Sequence, residues 1–259
     1  MKIERISKSE MKSIFLAKGI TNSLANAIRR TIHNVPSLAI DTVEFYKNDS
    51  ALYDEIIAHR LGLVPLRAPK NFTLREECTC KDKGCLKCTA ALKLKAKGPC
   101  TVYSGDLKAK GVDVVFKEMP IVILAKDQEL ELSAEAILGM GKEHTKFNPG
   151  LIWFNAYPII SIKGSESESE FVKICPTKAI SSKDGKISID PLKCNMCNAC
   201  VELSEKKDKC KIEMIPSKED FIFFIESFGQ LTPEEIFSEI TDKLDENLEE
   251  LSKQLKKIK

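Results

Sequence analysis

The stretch NSLANAIRRTIHNVPSLAIDTVEF, residues 22–45, joins a helical pattern directly to a strand pattern. Its first half repeats apolar residues at intervals of three and four, which is typical of one face of a helix. Pro36 ends that helix, because proline cannot continue the hydrogen-bond ladder. The run that follows, residues 38–46, is rich in β-branched and aromatic side chains and predicts a strand. The stretch therefore predicts a helix that is followed closely by a strand.

Further elements are predicted on both sides of this stretch. Residues 3–15 alternate loosely and predict a strand hairpin, and residues 52–61 predict a second short helix that ends at Gly62. Strand-like runs follow at residues 112–116, 121–124, 157–162 and 221–227. The polar stretch 164–170, GSESESE, has nothing to bury and predicts a linker.

The longest predicted element is the C-terminal helix. It begins at Pro233, with Thr232 as its cap and Glu235 at the capping-box position. Apolar side chains recur at spacings of four and three over about seven turns. They are Ile236, Ile240, Leu244, Leu248, Leu251, Leu255 and Ile258. Such a stripe covers a sheet of its own chain, pairs with another chain, or does both, and periodicity alone leaves these alternatives open.

Composition narrows the class of protein. The 259 residues are 43 % hydrophobic and 30 % charged, which is typical of a globular protein. Lys and Arg number 40 against 38 Asp and Glu, a formal charge of +2, which disfavours a protein that grips nucleic acid through phosphates. No run approaches the roughly 18 apolar residues of a membrane span, and the first residues lack the apolar segment of a signal peptide. We expect a cytoplasmic protein that meets no membrane.

Ten cysteines in a cytoplasmic chain indicate metal binding rather than disulfides. The first cysteine group consists of Cys78, Cys80, Cys85 and Cys88, and the second cysteine group consists of Cys175, Cys194, Cys197 and Cys200. Cys210 is left over beside the second group. Cys100 stands alone, and we expect it to be a buried small apolar side chain.

The second cysteine group has the spacing of an iron–sulfur site. It combines a C-x2-C-x2-C triad with an upstream Cys175-Pro pair, as in bacterial-type ferredoxins. An Asp-Gly turn signal at 184–185 predicts a hairpin that brings Cys175 back to the triad. No second triad precedes Cys175, so the pattern predicts one 4Fe-4S cluster. Four thiolates also suit zinc, which remains the alternative.

The first cysteine group packs four thiols into the pattern C-x-C-x4-C-x2-C. Four thiolates around Zn²⁺ make a closed tetrahedral site without an open coordination position, so a zinc ion here would be structural. A reduced loop without metal is the alternative. No phosphate loop, dinucleotide fingerprint or hydrolase motif accompanies either group, and we predict no catalytic residue.

Three stretches outside the cysteines resemble alpha-type RNA polymerase subunits. Residues 22–45 resemble the first helix and strand of that family. Residues 54–66, DEIIAHRLGLVPL, are similar to a signature of the archaeal alpha-like subunit and its eukaryotic third-largest-subunit relatives. Residues 224–235, FIESFGQLTPEE, resemble the strand–turn–helix that closes the family's dimerisation domain. With its ferredoxin-like insert, the chain is identified as a member of the archaeal branch of this polymerase subunit family.

The resemblance implies a split architecture within the α+β class. Residues 1–44, 157–164 and 211–259 would form an alpha-subunit-type dimerisation domain. Residues 45–156 would form an inserted mixed α/β domain with the first cysteine group, and residues 165–210 a ferredoxin-like 4Fe-4S domain.

The resemblance also implies a function and partners. The chain would be a non-catalytic assembly subunit of DNA-dependent RNA polymerase, a component of a nucleotidyltransferase complex. It would pair with the smaller subunit L and then seat the small subunits N and P and the two large catalytic subunits. The expected interface residues are Leu24, Ile28, Ile32, Ile240, Leu244, Leu248, Leu251 and Leu255. Arg29 and Arg30 match an Arg-Arg pair of the family and would contact a large subunit, with an exposed solvated face as the alternative.

Two functions from other classes compete with this one. An iron–sulfur electron-transfer protein or oxidoreductase subunit explains the second cysteine group. It leaves residues 22–45, residues 54–66 and the C-terminal helix unexplained. A zinc-ribbon nucleic-acid-binding module is disfavoured by the near-neutral charge.

Overall fold

The computed structural model describes residues 1–69, 71–81, 83–164, 169–183, 186–207 and 210–258. Its strands are β1 (Lys2–Lys8), β2 (Lys12–Lys18), β3 (Pro36–Asn48), β4 (Leu66–Arg67), β5 (Thr89–Lys97), β6 (Cys100–Tyr103), β7 (Lys108–Ala109), β8 (Asp113–Val114), β9 (Pro120–Leu124), β10 (Glu129–Met140), β11 (Gly150–Gly164), β12 (Ile180–Lys183), β13 (Lys186–Ile189) and β14 (Cys210–Ser227). Its α-helices are α1 (Asn22–Thr31), α2 (Asp54–Gly62), α3 (Ser169–Ile174), α4 (Ala199–Glu205) and α5 (Pro233–Lys257). The predicted α+β class is confirmed.

The chain divides into two compact units, each assembled from separate stretches of sequence. The first contains Met1–Lys8, Ser13–Arg29 and Ile152–Phe224. The second contains Ser9–Lys12, Arg30–Leu151 and Ile225–Lys259.

The first unit is built on a four-stranded sheet in the order β1-β2-β14-β11. The predicted N-terminal hairpin is confirmed, because β1 and β2 pair antiparallel from Lys2 opposite Lys18. Aromatic rings fill one face of the sheet, where Phe15 stacks on Phe223 at a centroid distance of 5.2 Å. Strand β14 begins at Cys210 rather than at the predicted Phe221, so one strand carries residues of the cysteine region as well as the sheet.

A small separate core lies in the same unit around α3, α4 and the hairpin β12–β13. Its buried side chains are Phe171, Ile180, Cys200, Cys210 and Ile212. Residues 165–168 of the predicted linker and the predicted Asp-Gly turn at 184–185 lie outside the described residues. Strands β12 and β13, on either side of that turn, do pair antiparallel, with Ile180 opposite Ile189.

The second unit is built on a six-stranded sheet in the order β7-β5-β10-β3-β4-β8. Strand β10 pairs antiparallel with both β3 and β5 and so forms the centre of the sheet. The predicted second helix is confirmed as α2, whose Ile57 and Leu61 are fully buried in the core of this sheet. Acidic residues in the first turn of α2 and basic residues in its last turn complement the helix dipole.

The other two predicted helices are present as α1 and α5. The Thr21 hydroxyl caps α1 by accepting a hydrogen bond from the amide of Leu24 at 3.2 Å. The predicted capping box of α5 is confirmed: the amide of Glu235 donates to the Thr232 hydroxyl, and its carboxylate accepts from the amide of Thr232 at 2.7 Å.

One expectation about a cysteine is wrong. Cys100 is exposed rather than buried. It is the first residue of β6, and neighbouring Val102 is the side chain of that strand that enters the core. Cys100 lies at the edge of this strand, where the core does not cover its side chain.

Candidate metal centres and partner surface

The four sulfur atoms of the first cysteine group lie close together in the loop between β4 and β5. All four Sγ atoms are within 4.8 Å of one another. The distances are 3.5 Å for Cys78–Cys85, 3.6 Å for Cys80–Cys88 and 3.8 Å for Cys85–Cys88. With zinc–sulfur bonds of about 2.3 Å, the edges of a tetrahedral site are about 3.8 Å long. The loop therefore has the dimensions of a site for one metal ion.

Local turns produce this convergence. The carbonyl of Cys85 accepts hydrogen bonds from the amides of Cys88 and Thr89 at 3.0 and 2.8 Å, which curls the last two cysteines into one turn. Lys81 has a φ of 52°, in the left-handed region, and reverses the chain directly after Cys80. Cys78 and Cys88 are buried, and the other two are half-buried.

The thiols of this loop differ in acidity. A hydrogen bond from the backbone of Cys80 is the main cause that lowers the pKa of the Cys78 thiol to about 6. Burial, the larger cause, and hydrogen bonding with Cys78, the second, raise the pKa of the Cys80 thiol to about 11. A second thiolate is disfavoured beside the first, so a bound cation is what would hold all four cysteines as thiolates.

The second cysteine group lines one cavity, which we call the cysteine cavity. Its walls are formed by Cys175, Thr177, Ala179, Ile180, Ile189, Cys194, Asn195, Cys197, Asn198, Ala199, Cys200 and Met214. The structure thus brings all four predicted ligands together. Among the described residues, only the first cysteine group is close enough to hold a single metal ion.

The backbone turns sharply between the cysteines of the triad. Met196 and Asn198 have φ values of 55° and 62°. Residues other than glycine adopt this left-handed backbone region at a cost in energy. Within the triad, the amide of Met196 donates a hydrogen bond to Cys194 Sγ at 3.4 Å. Before the triad, the amide of Ala179 follows Lys178, which also has positive φ, and donates to Cys175 Sγ at 3.3 Å. These N–H donors would stabilise sulfur-centred negative charge.

Burial and hydrogen bonding act in opposite directions on these thiols. Burial raises the pKa of Cys194 and of Cys200. Burial also acts upward on the pKa of Cys175. The Thr177 hydroxyl and nearby backbone amides outweigh it and lower the pKa of that thiol.

Two side chains beside the cavity were not predicted from the sequence as part of the site. The Sδ of Met214 lies 3.7 Å from Cys194 Sγ. The leftover Cys210 is fully buried in the small core that also contains Cys200. The available signal was the alternation of Cys210, Ile212 and Met214, which places all three on one side of a strand.

The predicted interface residues fall into two sets. Ile28, Ile32 and Ile240 are buried within the chain itself. Leu244 is half-buried, whereas Leu24, Leu248, Leu251 and Leu255 are exposed, Leu248 by 62 %. The apolar stripe of α5 is thus covered near Pro233 and open along its C-terminal half.

The predicted arginine pair is divided in the same way. Arg29 is half-buried, and its guanidinium donates to Asn26 Oδ1 from Nη2 at 2.8 Å and from Nε at 3.2 Å. Arg30 is exposed.

No helix of the described residues is long and apolar enough to cross a membrane.

The chain resembles known polymerase subunits over nearly its whole length. Residues 38–156 match the family described as the RNA polymerase Rpb3/RpoA insert domain. The DNA-directed RNA polymerase subunit Rpo3 of Methanothermobacter thermautotrophicus is 37 % identical over 260 residues, which is 97 % of each chain. The Rpo3 subunit of Pyrococcus furiosus is 38 % identical over 244 residues, 92 % of this chain and 90 % of its own. The DNA-directed RNA polymerase II subunit rpb3 of Dictyostelium discoideum is 36 % identical over 255 residues, 86 % of this chain and 84 % of its own.

These matches confirm the resemblance drawn from residues 22–45, 54–66 and 224–235. They do not favour an independent electron carrier, because the similarity extends far beyond the second cysteine group. The chain belongs to the Rpo3/Rpb3 family of DNA-directed RNA polymerase subunits.

Proposed function

We propose that this chain is the non-catalytic assembly platform of an archaeal-type RNA polymerase and pairs with the smaller subunit L. The open part of the α5 stripe carries the proposal. Leu248, Leu251 and Leu255 lie on one helix face and remain exposed, while Ile236 and Ile240 at the start of the helix are fully buried. A partner helix that covers these leucines would remove them from water, which is favourable for each apolar side chain buried.

The pairing would precede the rest of assembly. An obligate interface of this kind typically buries ~2,000 Å² or more and resembles a protein core cut in half. We infer that the heterodimer then seats subunits N and P and the two large catalytic subunits, with the exposed Arg30 as the member of the arginine pair that reaches a large subunit. The protein would act in the cytoplasm and meet DNA only through the assembled enzyme.

Charge on the stripe tests the pairing. Leu248→Asp with Leu251→Asp places two carboxylates in the proposed interface, whereas Lys257→Asp places one on the opposite, solvent-facing side of α5. We expect the double variant to lose co-purification with subunit L and the Lys257→Asp chain to retain it. Undiminished pairing of the double variant would refute the assignment of this face.

We propose the following domain organisation for this role. Residues 1–44, 157–164 and 211–259 form the dimerisation domain, residues 45–156 the insert domain, and residues 165–210 the ferredoxin-like domain. The match of residues 38–156 to the Rpb3/RpoA insert domain supports the middle assignment.

We propose that the first cysteine group holds one Zn²⁺ as a structural ion. The sulfur–sulfur distances of 3.5 to 3.8 Å support it, since they fit the edges of a zinc tetrahedron. The ion would hold the loop between β4 and β5 in one conformation. It would leave no coordination position for a substrate.

We propose that the second cysteine group, Cys175, Cys194, Cys197 and Cys200, holds one 4Fe-4S cluster. Four thiols around one cavity, N–H donors aimed at two of the sulfurs and the ferredoxin-like spacing support it. Iron, acid-labile sulfide and zinc analysis of anaerobically purified chain tests both metal proposals. About four irons and four sulfides with one zinc are expected. Zinc in both sites would refute the cluster.

We propose that a bound cluster stabilises the fold of the ferredoxin-like domain. Binding free energy at a site that the unfolded chain lacks becomes folding free energy. Loss of the cluster through oxidation or iron limitation would therefore loosen the region from α3 to the start of β14 and reduce polymerase assembly. Cys194→Ser with Cys197→Ser, followed by quantification of assembled polymerase in cells, tests this link. Normal assembly would contradict it.

A further inference from the structure

Met214 lines two spaces of different character. On one side it lines the cysteine cavity, where its Sδ lies 3.7 Å from Cys194 Sγ. On the other side it lines a larger and more open groove. The other residues of that groove are Val201, Ser204, Glu205, Lys211, Ile212, Glu213 and Ile215. Met214 is the residue that the two spaces share.

Strand β14 holds this side chain in place. The buried Ser204 hydroxyl, near the end of α4, accepts a hydrogen bond from the amide of Ile212 at 3.1 Å and donates to the carbonyl of Val201 at 2.8 Å. This bridge fastens β14 to α4 two residues before Met214. Because side chains alternate along a strand, Met214 shares the inward side with Ile212, whereas Ile215 is 60 % exposed.

We propose that Met214 is the shielding residue of the iron–sulfur site. Its apolar side chain closes the cysteine cavity toward the open groove and limits the access of water and dissolved oxidants to a bound cluster at Cys194. The apolar shell of a metal site controls solvent access, and solvent exposure is one of the factors that set the reduction potential of a cluster. The proposal rests on the 4Fe-4S assignment proposed above.

Three substitutions in the full-length chain separate shielding from mere packing. Met214→Gln keeps the length of the side chain and makes it polar, and Met214→Leu keeps it apolar. Ile215→Gln makes the same polar change one residue further along β14, in the groove but not in the cavity. Each chain is purified anaerobically, and its iron and sulfide content is measured. The decay of the cluster's visible absorption in air and its midpoint potential are then compared with the unsubstituted chain.

The expected result is selective. Met214→Gln should lose its cluster several-fold faster in air and shift the midpoint potential, whereas Met214→Leu and Ile215→Gln should behave like the unsubstituted chain. Equal lifetimes and potentials for Met214→Gln and Ile215→Gln would overturn the proposal. If the Met214→Gln chain takes up no cluster, Met214→Ala replaces it, because the smaller side chain opens the same wall, and an unchanged lifetime there would also overturn the proposal. An unsubstituted chain without iron and sulfide would instead reject the cluster assignment itself.

Discussion

At the scale of single residues, unusual backbone conformations gather at the cysteines. Lys81, Lys178, Met196 and Asn198 all have positive φ and lie within three residues of a predicted metal ligand. Such conformations cost of order 1–3 kcal/mol each and persist where the surroundings impose them. Here they lie in the segments that bring the cysteines of each group close together.

The first cysteine group provides a test at this scale. Cys88→Ser removes a buried sulfur of the loop, whereas Cys100→Ser removes an exposed sulfur that belongs to neither group. We expect elemental analysis to find zinc lost from the Cys88→Ser chain, because three thiolates no longer close the tetrahedron, and retained by the Cys100→Ser chain. Equal zinc content in the two chains would contradict the proposed site.

Gly229 gives a second test, in the turn between β14 and α5. Its φ is 106°, and a Cβ added there would lie 2.7 Å from Val115 Cγ1. Gly111 also has positive φ, at 75°, but nothing lies within 4 Å of an added Cβ. We expect Gly111→Ala to lower the free energy of unfolding by about 1 kcal/mol through backbone strain alone. Gly229→Ala should lower it by about 2–4 kcal/mol, because the clash adds to the strain. Denaturant titration measures both, and equal losses would show that Val115 yields without cost.

At the scale of secondary-structure elements, the first turns of α5 are capped and buried, whereas the apolar side chains of its last turns are exposed. The capping box at Thr232 and the buried Ile236 and Ile240 hold its first turns. Its last turns have an apolar stripe without cover from the described residues. Those turns are therefore held by helix propensity and by ion pairs along the helix such as Lys253 with Glu249 at 3.6 Å.

The cap makes a testable contribution to this element. Thr232→Ala leaves the amide of Glu235 without its side-chain acceptor and should lower the free energy of unfolding by about 1 kcal/mol. Ser252→Ala removes an exposed hydroxyl from the helix interior and should cost nothing, because alanine has the higher helix propensity. Thermal unfolding of both chains checks the difference. A larger loss for Ser252→Ala would mean that the helix is not held at its beginning.

At the scale of the whole molecule, each compact unit has its own sheet and its own cysteine group. The unit with the six-stranded sheet contains the loop of Cys78 to Cys88, and the unit with the four-stranded sheet contains the cysteine cavity. Several segments of sequence contribute to each unit, so neither is a continuous piece of chain.

Partner binding should change the stability of the molecule as a whole. A partner that binds only the folded chain adds about 2.7 kcal/mol at a free concentration about a hundred times its dissociation constant. We therefore expect subunit L to raise the thermal unfolding temperature in a concentration-dependent way. The chain with Leu248→Asp and Leu251→Asp should show no such rise. An identical rise in both chains would place subunit L on another surface.

The sequence by itself determined the local features of this protein. Residues 22–35, 52–61 and 233–258 predicted helices that the structure contains, because apolar periodicity and capping act over a few neighbouring residues. The clustering of cysteines likewise marked two groups, since ligand spacing is a short-range pattern. Family membership followed from short motifs and was confirmed over almost the whole chain.

Only the tertiary structure decided which of these features meet. The centre of the six-stranded sheet, β10, pairs with strands distant in sequence, and such pairing has no local signal. Burial of Ile28, Ile32 and Ile240 within the chain, and exposure of Leu248, depend on which surfaces pack together rather than on the periodicity that the residues share. The contact between Met214 and Cys194 likewise depends on tertiary packing. Strand β14 places Met214 beside a cysteine twenty positions earlier in the chain, and no local sequence pattern predicts such a contact.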